Sequence, residues 1–129
     1  MPATPVPTPS APPVAGPYSP AARAGDLIFL AGQIAIDPAT GHLVEGDVEA
    51  EARRVLANIA AVLDDCGAAW TDVVKATIFL AGSLDHFATV NACYAEAVGD
   101  HRPARSTIAV AALPLGAAVE IEVVVHRPA

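Results

Sequence analysis

Two alternating segments near the C-terminus carry the side chains best suited to chemistry. Arg105 and Thr107 lie two residues apart in one predicted strand and Glu120 and Glu122 in the next, so each pair shares a strand face. A guanidinium close to a carboxylate on a half-exposed sheet can bind a carboxylate ligand through two hydrogen bonds and position a water molecule. The same groups can form a structural cross-strand ion pair, and spacing alone favours that interpretation because the register stays open.

Two glycine-containing segments are further candidates for a ligand site. Gly16-Pro17-Tyr18 precedes the first predicted strand and Gly32-Gln33 follows it. Glycine lets the backbone approach a ligand closely and tyrosine offers an apolar wall with a hydroxyl, but a turn and a bulge explain these residues equally well. The four histidines lack metal-binding spacing, and the sequence has no phosphate-binding glycine loop and no hydrolase signature. No metal site is predicted.

The hydrophobic periodicity predicts the elements that position these residues. Residues 27–31 and 73–80 are predicted to be buried strands, joined in a βαβ crossover by a long helix with Asp47 as N-cap and Gly67 as its stop. A second helix follows, capped by Ser83 and ended by Gly99. The strands over residues 105–110 and 119–126 are predicted to pair through a turn at residues 113–116. This order predicts an α+β fold with both helices on one sheet face.

The length and composition fit a single domain. The chain has 129 residues, of which 53% are hydrophobic, and a net charge of −7. Eight of its 12 prolines lie in residues 1–20, so we expect residues 1–13 to be a disordered tail and residues 14–129 to form the domain. Because few charges are available to cover the outside, we expect some apolar surface to be buried in an oligomer.

Several classes of protein are disfavoured by the composition. No charge-free apolar run reaches the roughly 18 residues of a membrane span, and the N-terminus lacks the features of a signal peptide, so we expect a soluble cytoplasmic protein. The acidic balance and the single lysine, Lys75, argue against nucleic acid as a partner. Cys66 and Cys93 are expected to remain thiols.

A series of short motifs runs in order through the chain. These are Gly16-Pro17-Tyr18-Ser19, Ala31-Gly32-Gln33-Ile34, Asp37-Pro38 with Gly41, Asn58, Asp72-Val73-Val74-Lys75, Phe87 with Val90-Asn91 and Tyr94, Arg102-Pro103-Ala104-Arg105-Ser106, Leu113-Pro114, and Val119-Glu120-Ile121-Glu122. No single motif is specific. Taken together over residues 14–126, their number, order and spacing resemble the RidA family, also called YjgF-type and, by an older label, endoribonuclease L-PSP.

The resemblance implies both a fold and an activity. The fold is chorismate-mutase-like (bacillus type), a mixed sheet with two helices on one face, assembled as a homotrimer with clefts between subunits. The activity is hydrolysis of reactive 2-imino acids, of the 2-aminoacrylate and 2-iminobutanoate type, to 2-keto acids and ammonia without a cofactor. The implied site residues are Arg105 to clamp the substrate carboxylate, Glu120 to hold and polarise water, and Tyr18, Gly32, Asn91 and Thr107 to bind substrate.

The chain also departs from the common pattern of that family. Ala31 stands where serine is frequent, Pro20 and Glu51 stand where glutamine is frequent, and Thr107 stands where some members carry cysteine. Two other functions also stay open. One is a ribonuclease or translation inhibitor, an activity attributed to some members, and the other is a ligand-binding or chaperone-like trimer that binds a small carboxylate without turnover.

Overall fold

The computed structural model describes residues 2–129 as one sheet with two helices. The strands are β1 (Thr4–Pro5), β2 (Ala21–Ala24), β3 (Leu27–Leu30), β4 (Val73–Ala81), β5 (Ala104–Val110) and β6 (Val119–His126), and the helices are α1 (Val48–Asp65) and α2 (Phe87–Val98). Short 3₁₀ turns cover Trp70–Asp72 and Pro114–Gly116. The strand order in the sheet is β1-β2-β3-β6-β4-β5.

Helix α1 forms where the hydrophobic period is strongest. The Asp47 carboxylate caps it by accepting a hydrogen bond of 2.9 Å from the amide of Ala50. The helix ends at Cys66, and Gly67 follows with φ +71°, a conformation that glycine adopts without steric cost. The predicted N-cap and the predicted stop are both confirmed.

Helix α2 begins later than the sequence predicts. The Ser83 hydroxyl accepts a hydrogen bond from the amide of Asp85 at 3.2 Å, which forms a turn ahead of the helix. The N-cap position is His86 and the first helical residue is Phe87. The prediction that Ser83 caps this helix is therefore wrong, whereas its predicted end at Gly99 is confirmed.

Strand β6 lies in the middle of the sheet. It pairs antiparallel with both β3 and β4, and β4 pairs parallel with β5. The crossover between adjacent parallel strands is thus β4-α2-β5, whereas α1 joins two strands, β3 and β4, that β6 separates. The predicted pairing of residues 105–110 with residues 119–126 is wrong because β4 lies between them. Alternation assigns the two faces of a strand but does not choose its neighbours.

Both helices pack on one face of the sheet. Alternate residues of β6 face the helices and are at most 2% exposed, namely Val119, Ile121, Val123 and Val125. Glu120 and Glu122 lie on the opposite face, together with the exposed Phe29 and Ile108. The predicted α+β class, with two helices on one face of a mixed sheet, is confirmed.

The proline-rich N-terminal segment lies against the domain. Residues Thr4–Pro5 pair with the edge of β2, where a proline without an amide hydrogen can sit. Ser10 donates hydrogen bonds from its backbone amide (2.8 Å) and its hydroxyl (2.9 Å) to the carboxylate of Asp65 at the end of α1. Pro12 is buried. The disordered tail predicted for residues 1–13 is therefore corrected to an attached segment, with Met1 outside the described residues.

Candidate functional site

Arg105 is held by three side chains of α2. Its Nη1 donates a hydrogen bond of 2.7 Å to Oδ1 of Asn91. Its guanidinium carbon lies 5.0 Å from the ring centre of Tyr94 and 5.8 Å from that of Phe87, within the range of a cation–π interaction. The three helix residues are spaced i, i+4 and i+7, so they share one helix face. We call Arg105, Asn91, Phe87 and Tyr94 the arginine half-site.

A cavity of about 440 Å³ opens beside this half-site. Arg102 also lines it, and its Nη1 donates to the carbonyl oxygens of Gly99 and His101 at the end of α2. The hydroxyl groups of Tyr94 and Thr107 are buried and have no hydrogen-bond partner in residues 2–129. Burial raises the pKa of Tyr94, although the neighbouring Arg105 and Arg102 act in the opposite direction.

Glu120 lies in a second cavity, of about 310 Å³, with mostly apolar walls. The lining residues are Pro12, Pro13, Val14, Ala15, Tyr18, Pro20, Gly32, Gln33, Ile34, Ile36, Pro114, Leu115 and Glu120. Partial burial raises the pKa of Glu120, and the like charge of Glu122 raises it further. We call Glu120, Gly32 and Tyr18 the glutamate half-site.

Backbone contacts fix the geometry around Glu120. Gln33 and Ile121 exchange two backbone hydrogen bonds, of 2.9 and 3.1 Å, which hold the segment after Gly32 beside β6. Because Gly32 has no side chain, the Glu120 carboxyl group lies directly against it. At the start of β6, Oε1 of Glu51 accepts a hydrogen bond of 3.0 Å from the amide of Ala118.

The structure does not bring the two half-sites together within one chain. Arg105 is in register with Ala76 of β4, which is in register with the buried Val123, so Arg105 lies on the helix-covered face. Glu120 lies on the opposite face, in register with Phe79. The expectation that the guanidinium and the carboxylate meet on one face of a strand pair is therefore corrected for the single chain. The physical reason is the pairing of β4 with both β5 and β6, since residues in register across neighbouring strands share one face of the sheet.

The sequence-predicted site residues divide between these two groups. Asn91 contacts Arg105, and Thr107 shares the strand face of Arg105, whereas Tyr18 and Gly32 line the cavity of Glu120. Sequence reasoning did not assign Phe87 and Tyr94 to the site, although their spacing around Asn91 was a usable signal. It also missed Pro12 and Pro13 as part of the cavity wall, because the proline content of residues 1–13 indicated a tail.

Two general features of the described residues are relevant to the site. Within residues 2–129, no three His, Cys, Asp or Glu side chains are grouped so that they could hold a metal ion. Over the same residues, neither helix combines the length and the apolar character needed to cross a membrane.

Comparison with known proteins identifies the relatives of this chain. The family model described as endoribonuclease L-PSP matches residues 8–127. A 2-iminobutanoate/2-iminopropanoate deaminase of Bos taurus is 44% identical over 117 residues, which cover 91% of this chain and 85% of the relative. The chain belongs to the RidA family. This resemblance was predicted from the order of its motifs, and it is confirmed.

Solved structures of RidA-family proteins have the same fold. A Rid-family protein from Yersinia pestis is 44% identical, with a TM-score of 0.91 over 96% of this chain and 98% of that one. TdcF of E. coli, solved with bound serine, is 34% identical, with a TM-score of 0.88 over 96% of this chain and 98% of that one. At least one relative with this fold therefore binds a small amino acid.

Proposed function

We propose that this RidA-family protein hydrolyses 2-imino acids to 2-keto acids and ammonia in a cleft between two copies of the chain. The observation that carries the proposal is the separation of Arg105 and Glu120 on opposite faces of one sheet, each in its own cavity. Two half-sites with complementary chemistry form one site when a second copy supplies the missing half. The deaminase name of the Bos taurus relative agrees with this chemistry.

The arginine half-site is suited to the substrate carboxylate. A guanidinium offers five N–H donors in a planar fork that matches a carboxylate. The hydrogen bond to Asn91 occupies one terminal nitrogen, and the rings of Phe87 and Tyr94 restrict the orientation of the plane. Arg105 is thereby preorganised, so less conformational entropy is lost when the substrate binds.

The glutamate half-site is suited to activating a water molecule. The raised pKa of the Glu120 carboxyl group makes its carboxylate a stronger base than an exposed glutamate. In the proposed reaction the water oxygen bonds to the imine carbon, while Glu120 takes a proton from that water and returns it to the nitrogen. Glu120 then takes the hydroxyl proton of the resulting carbinolamine and passes it to the amine nitrogen as the C–N bond breaks, which releases ammonia and leaves the 2-keto acid. No oxidant or reductant is consumed.

The assembly we propose is the homotrimer implied by the RidA resemblance. The sheet face opposite the helices carries Phe29, which is 47% exposed, and Ile108, which is 45% exposed. Burying such a face between subunits removes apolar area from water, which favours association. The same face holds Glu120, so packing against a second copy brings that carboxylate to a subunit boundary.

Mixed assemblies of two inactive variants test this proposal. Arg105→Ala lacks the carboxylate clamp and Glu120→Gln lacks the base, so each alone is expected to hydrolyse imines at the background rate. When the two chains are co-expressed in equal amounts, about a quarter of the sites in random trimers combine an intact Arg105 with an intact Glu120 from the neighbouring chain. We therefore expect about a quarter of the wild-type activity, measured as keto-acid release from a dehydratase-generated imine with semicarbazide as trap.

The control is a mixture of the two variants purified and combined without subunit exchange, which is expected to stay inactive. Background activity in the co-expressed sample, together with proven mixed assembly, would show that the sites do not lie between copies. If the wild-type protein binds a keto acid in calorimetry but does not accelerate imine hydrolysis, the ligand-binding function is supported and the enzymatic one is not.

A further inference from the structure

Asn58 is a fully buried polar residue that contacts the wall of the Glu120 cavity. It lies in α1 with an exposed fraction of 0%. Its Nδ2 donates hydrogen bonds to the carbonyl oxygens of Ile34 (3.2 Å) and Ile36 (2.8 Å). Both isoleucines line the cavity that contains Glu120 and Gly32. A single amide group thus connects the core helix to this wall.

Arg54 fixes which way the Asn58 amide points. Its Nε donates a hydrogen bond of 3.0 Å to Oδ1 of Asn58 from one helical turn away. Since Arg54 can only donate and the two carbonyl groups can only accept, a single orientation of the amide satisfies all three contacts. The oxygen must face Arg54, and the NH₂ group must face Ile34 and Ile36.

The segment over residues 33–36 has few other attachments. Gln33 is tied to β6, Ile36 donates to the nearby carbonyl of Ile34, and Ala35 accepts from Val44. Without the Asn58 amide, the Ile34 carbonyl group would keep its hydrogen bond from the Ile36 amide, but the half-buried Ile36 carbonyl group would lose its donor, which is unfavourable. The segment would then shift or admit water, so that the carbonyl group regains a hydrogen-bond donor.

We propose that Asn58 is a positioning residue for the substrate cleft, acting through the Ile34–Ile36 wall. The expected effect on substrate binding rests on the proposed function, whereas the expected effect on the structure of the Ile34–Ile36 wall does not. Asn58 is remote from the reacting atoms in this assignment and contacts Ile34 and Ile36 rather than Gly32, so its effect falls on substrate binding rather than on the chemistry of Glu120.

The first test compares Asn58→Ala with Val62→Ala. Val62 is equally buried one turn further along α1 and makes no contact with the wall through a polar group, so its truncation lowers stability without removing a hydrogen bond. We expect Asn58→Ala to raise KM about tenfold with a much smaller change in kcat, because the Ile36 carbonyl group in the cavity wall loses its donor. Val62→Ala is expected to lower Tm about as much as Asn58→Ala does, and to keep the wild-type KM.

The second test uses Asn58→Asp as a protonation-dependent variant. The carboxylate keeps an oxygen for the charged Arg54 but turns its other oxygen toward two carbonyl groups, which repel it. Its protonated form regains one O–H donor. We expect kcat/KM to lie below wild type at neutral pH and, expressed relative to wild type at each pH, to rise as the pH falls through the pKa of the new carboxyl group. A kcat/KM equal to that of wild type at neutral pH would overturn the proposal.

A readout independent of activity separates this inference from the proposed function. We expect hydrogen exchange at the Gln33 and Val44 amides to be at least about tenfold faster in Asn58→Ala than in Val62→Ala, with the β4 amides alike in both. If the wild-type protein shows no deaminase activity, faster exchange still supports the wall contact. Equal exchange in the two variants would overturn it. If Asn58→Ala does not fold, Arg54→Met takes its place, because it removes the orienting hydrogen bond, together with a charge, and leaves the Asn58 amide present. It is expected to show the same acceleration to a smaller degree, and unchanged exchange in this variant would overturn the proposal.

Discussion

The carboxyl group of Glu120 packs directly on the α-carbon of Gly32. A Cβ atom added at position 32 would lie 2.8 Å from Cδ of Glu120 and closer still to Oε2. Nonbonded carbon atoms do not approach to that distance without moving, so the glutamate occupies the volume that a side chain at position 32 would fill. The place of the proposed base therefore depends on the absence of one methyl group.

Gly32→Ala is expected to impair activity more than stability. The new methyl group must push aside the end of the Glu120 side chain, which is flexible enough to move without disturbing the sheet. We predict a fall in kcat of at least about tenfold with a Tm close to wild type, since misplacing a catalytic group by about 1 Å can cost a hundredfold in rate. Gly16→Ala is the matched control, because its Cβ would meet two ring carbons of Tyr18 at 3.5 and 3.6 Å, which is ordinary van der Waals contact. A fully active Gly32→Ala would contradict the role of Glu120.

Removing the neighbouring charge is expected to move the acidic limb of the pH profile. Glu120 must be ionised to act as a base, and burial together with Glu122 raises its pKa. Activity should thus be lost on acidification at a higher pH than for an exposed glutamate. Glu122→Gln removes the like charge, so the acidic limb of kcat/KM should shift to lower pH. An unshifted limb, measured over the same buffers, would mean that Glu120 does not control it.

Glu120→Gln is expected to be inactive and at least as stable as wild type at neutral pH. A group whose pKa is raised on folding favours the folded state while it is protonated, and this advantage is lost as the pH rises through its folded pKa. A neutral amide avoids that loss. The Tm difference between variant and wild type should therefore shrink as the pH approaches the unfolded pKa of about 4.3, below which both side chains are uncharged. A variant less stable than wild type at neutral pH would oppose this account.

Two substitutions of Tyr94 separate its ring from its hydroxyl. The hydroxyl is buried without a partner in residues 2–129, so Tyr94→Phe is expected to keep activity and to raise the free energy of unfolding by up to about 1 kcal/mol. Tyr94→Leu removes the ring that faces Arg105, and KM should rise about three- to tenfold through loss of the cation–π contact. Steady-state kinetics of both variants gives the KM values, and thermal unfolding gives the changes in stability. Equal KM values would show that the ring does not position Arg105.

Ser10→Ala is expected to loosen the N-terminal wall of the cleft. The substitution removes the hydroxyl hydrogen bond to Asp65, and residues 12–15 follow directly as lining of the Glu120 cavity. We predict a loss in unfolding free energy of about 0.5–1.5 kcal/mol and a modest rise in KM. Thr8→Ala is a suitable control, since Thr8 contributes its backbone carbonyl, to Ala11, rather than its hydroxyl. Equal free energies of unfolding for the two variants in urea titration would argue against a stabilising role of the Ser10 hydroxyl.

Periodic and local signals in the sequence predict the helices and the faces of the strands. The three- and four-residue spacing through α1, its Asp47 cap and the strict alternation of β6 each depend on a few neighbouring residues, so they can be recognised without the fold. The start of α2 could not be placed in the same way, because a serine that forms a turn and a serine that caps a helix look alike.

Apart from the start of α2, the relationships that sequence reasoning missed were nonlocal. The insertion of β4 between β5 and β6 is decided by how all strands pack together, and it moves Arg105 and Glu120 to opposite faces. The attachment of residues 4–13 depends on the free edge of β2 and on Asp65, both distant in sequence. Family resemblance supplied candidate residues such as Tyr18 and Asn91, but not the way they divide between two cavities.

The two-residue strand β1 also has a consequence for behaviour at high concentration. An unpaired sheet edge is a template on which further chains can add and aggregate. Here the outermost strand is very short, and residues 2–9 contain Pro2, Pro5, Pro7 and Pro9, none of which has an amide hydrogen to donate. The segment that completes the sheet on this side thus also ends it, which disfavours the addition of further chains at this edge.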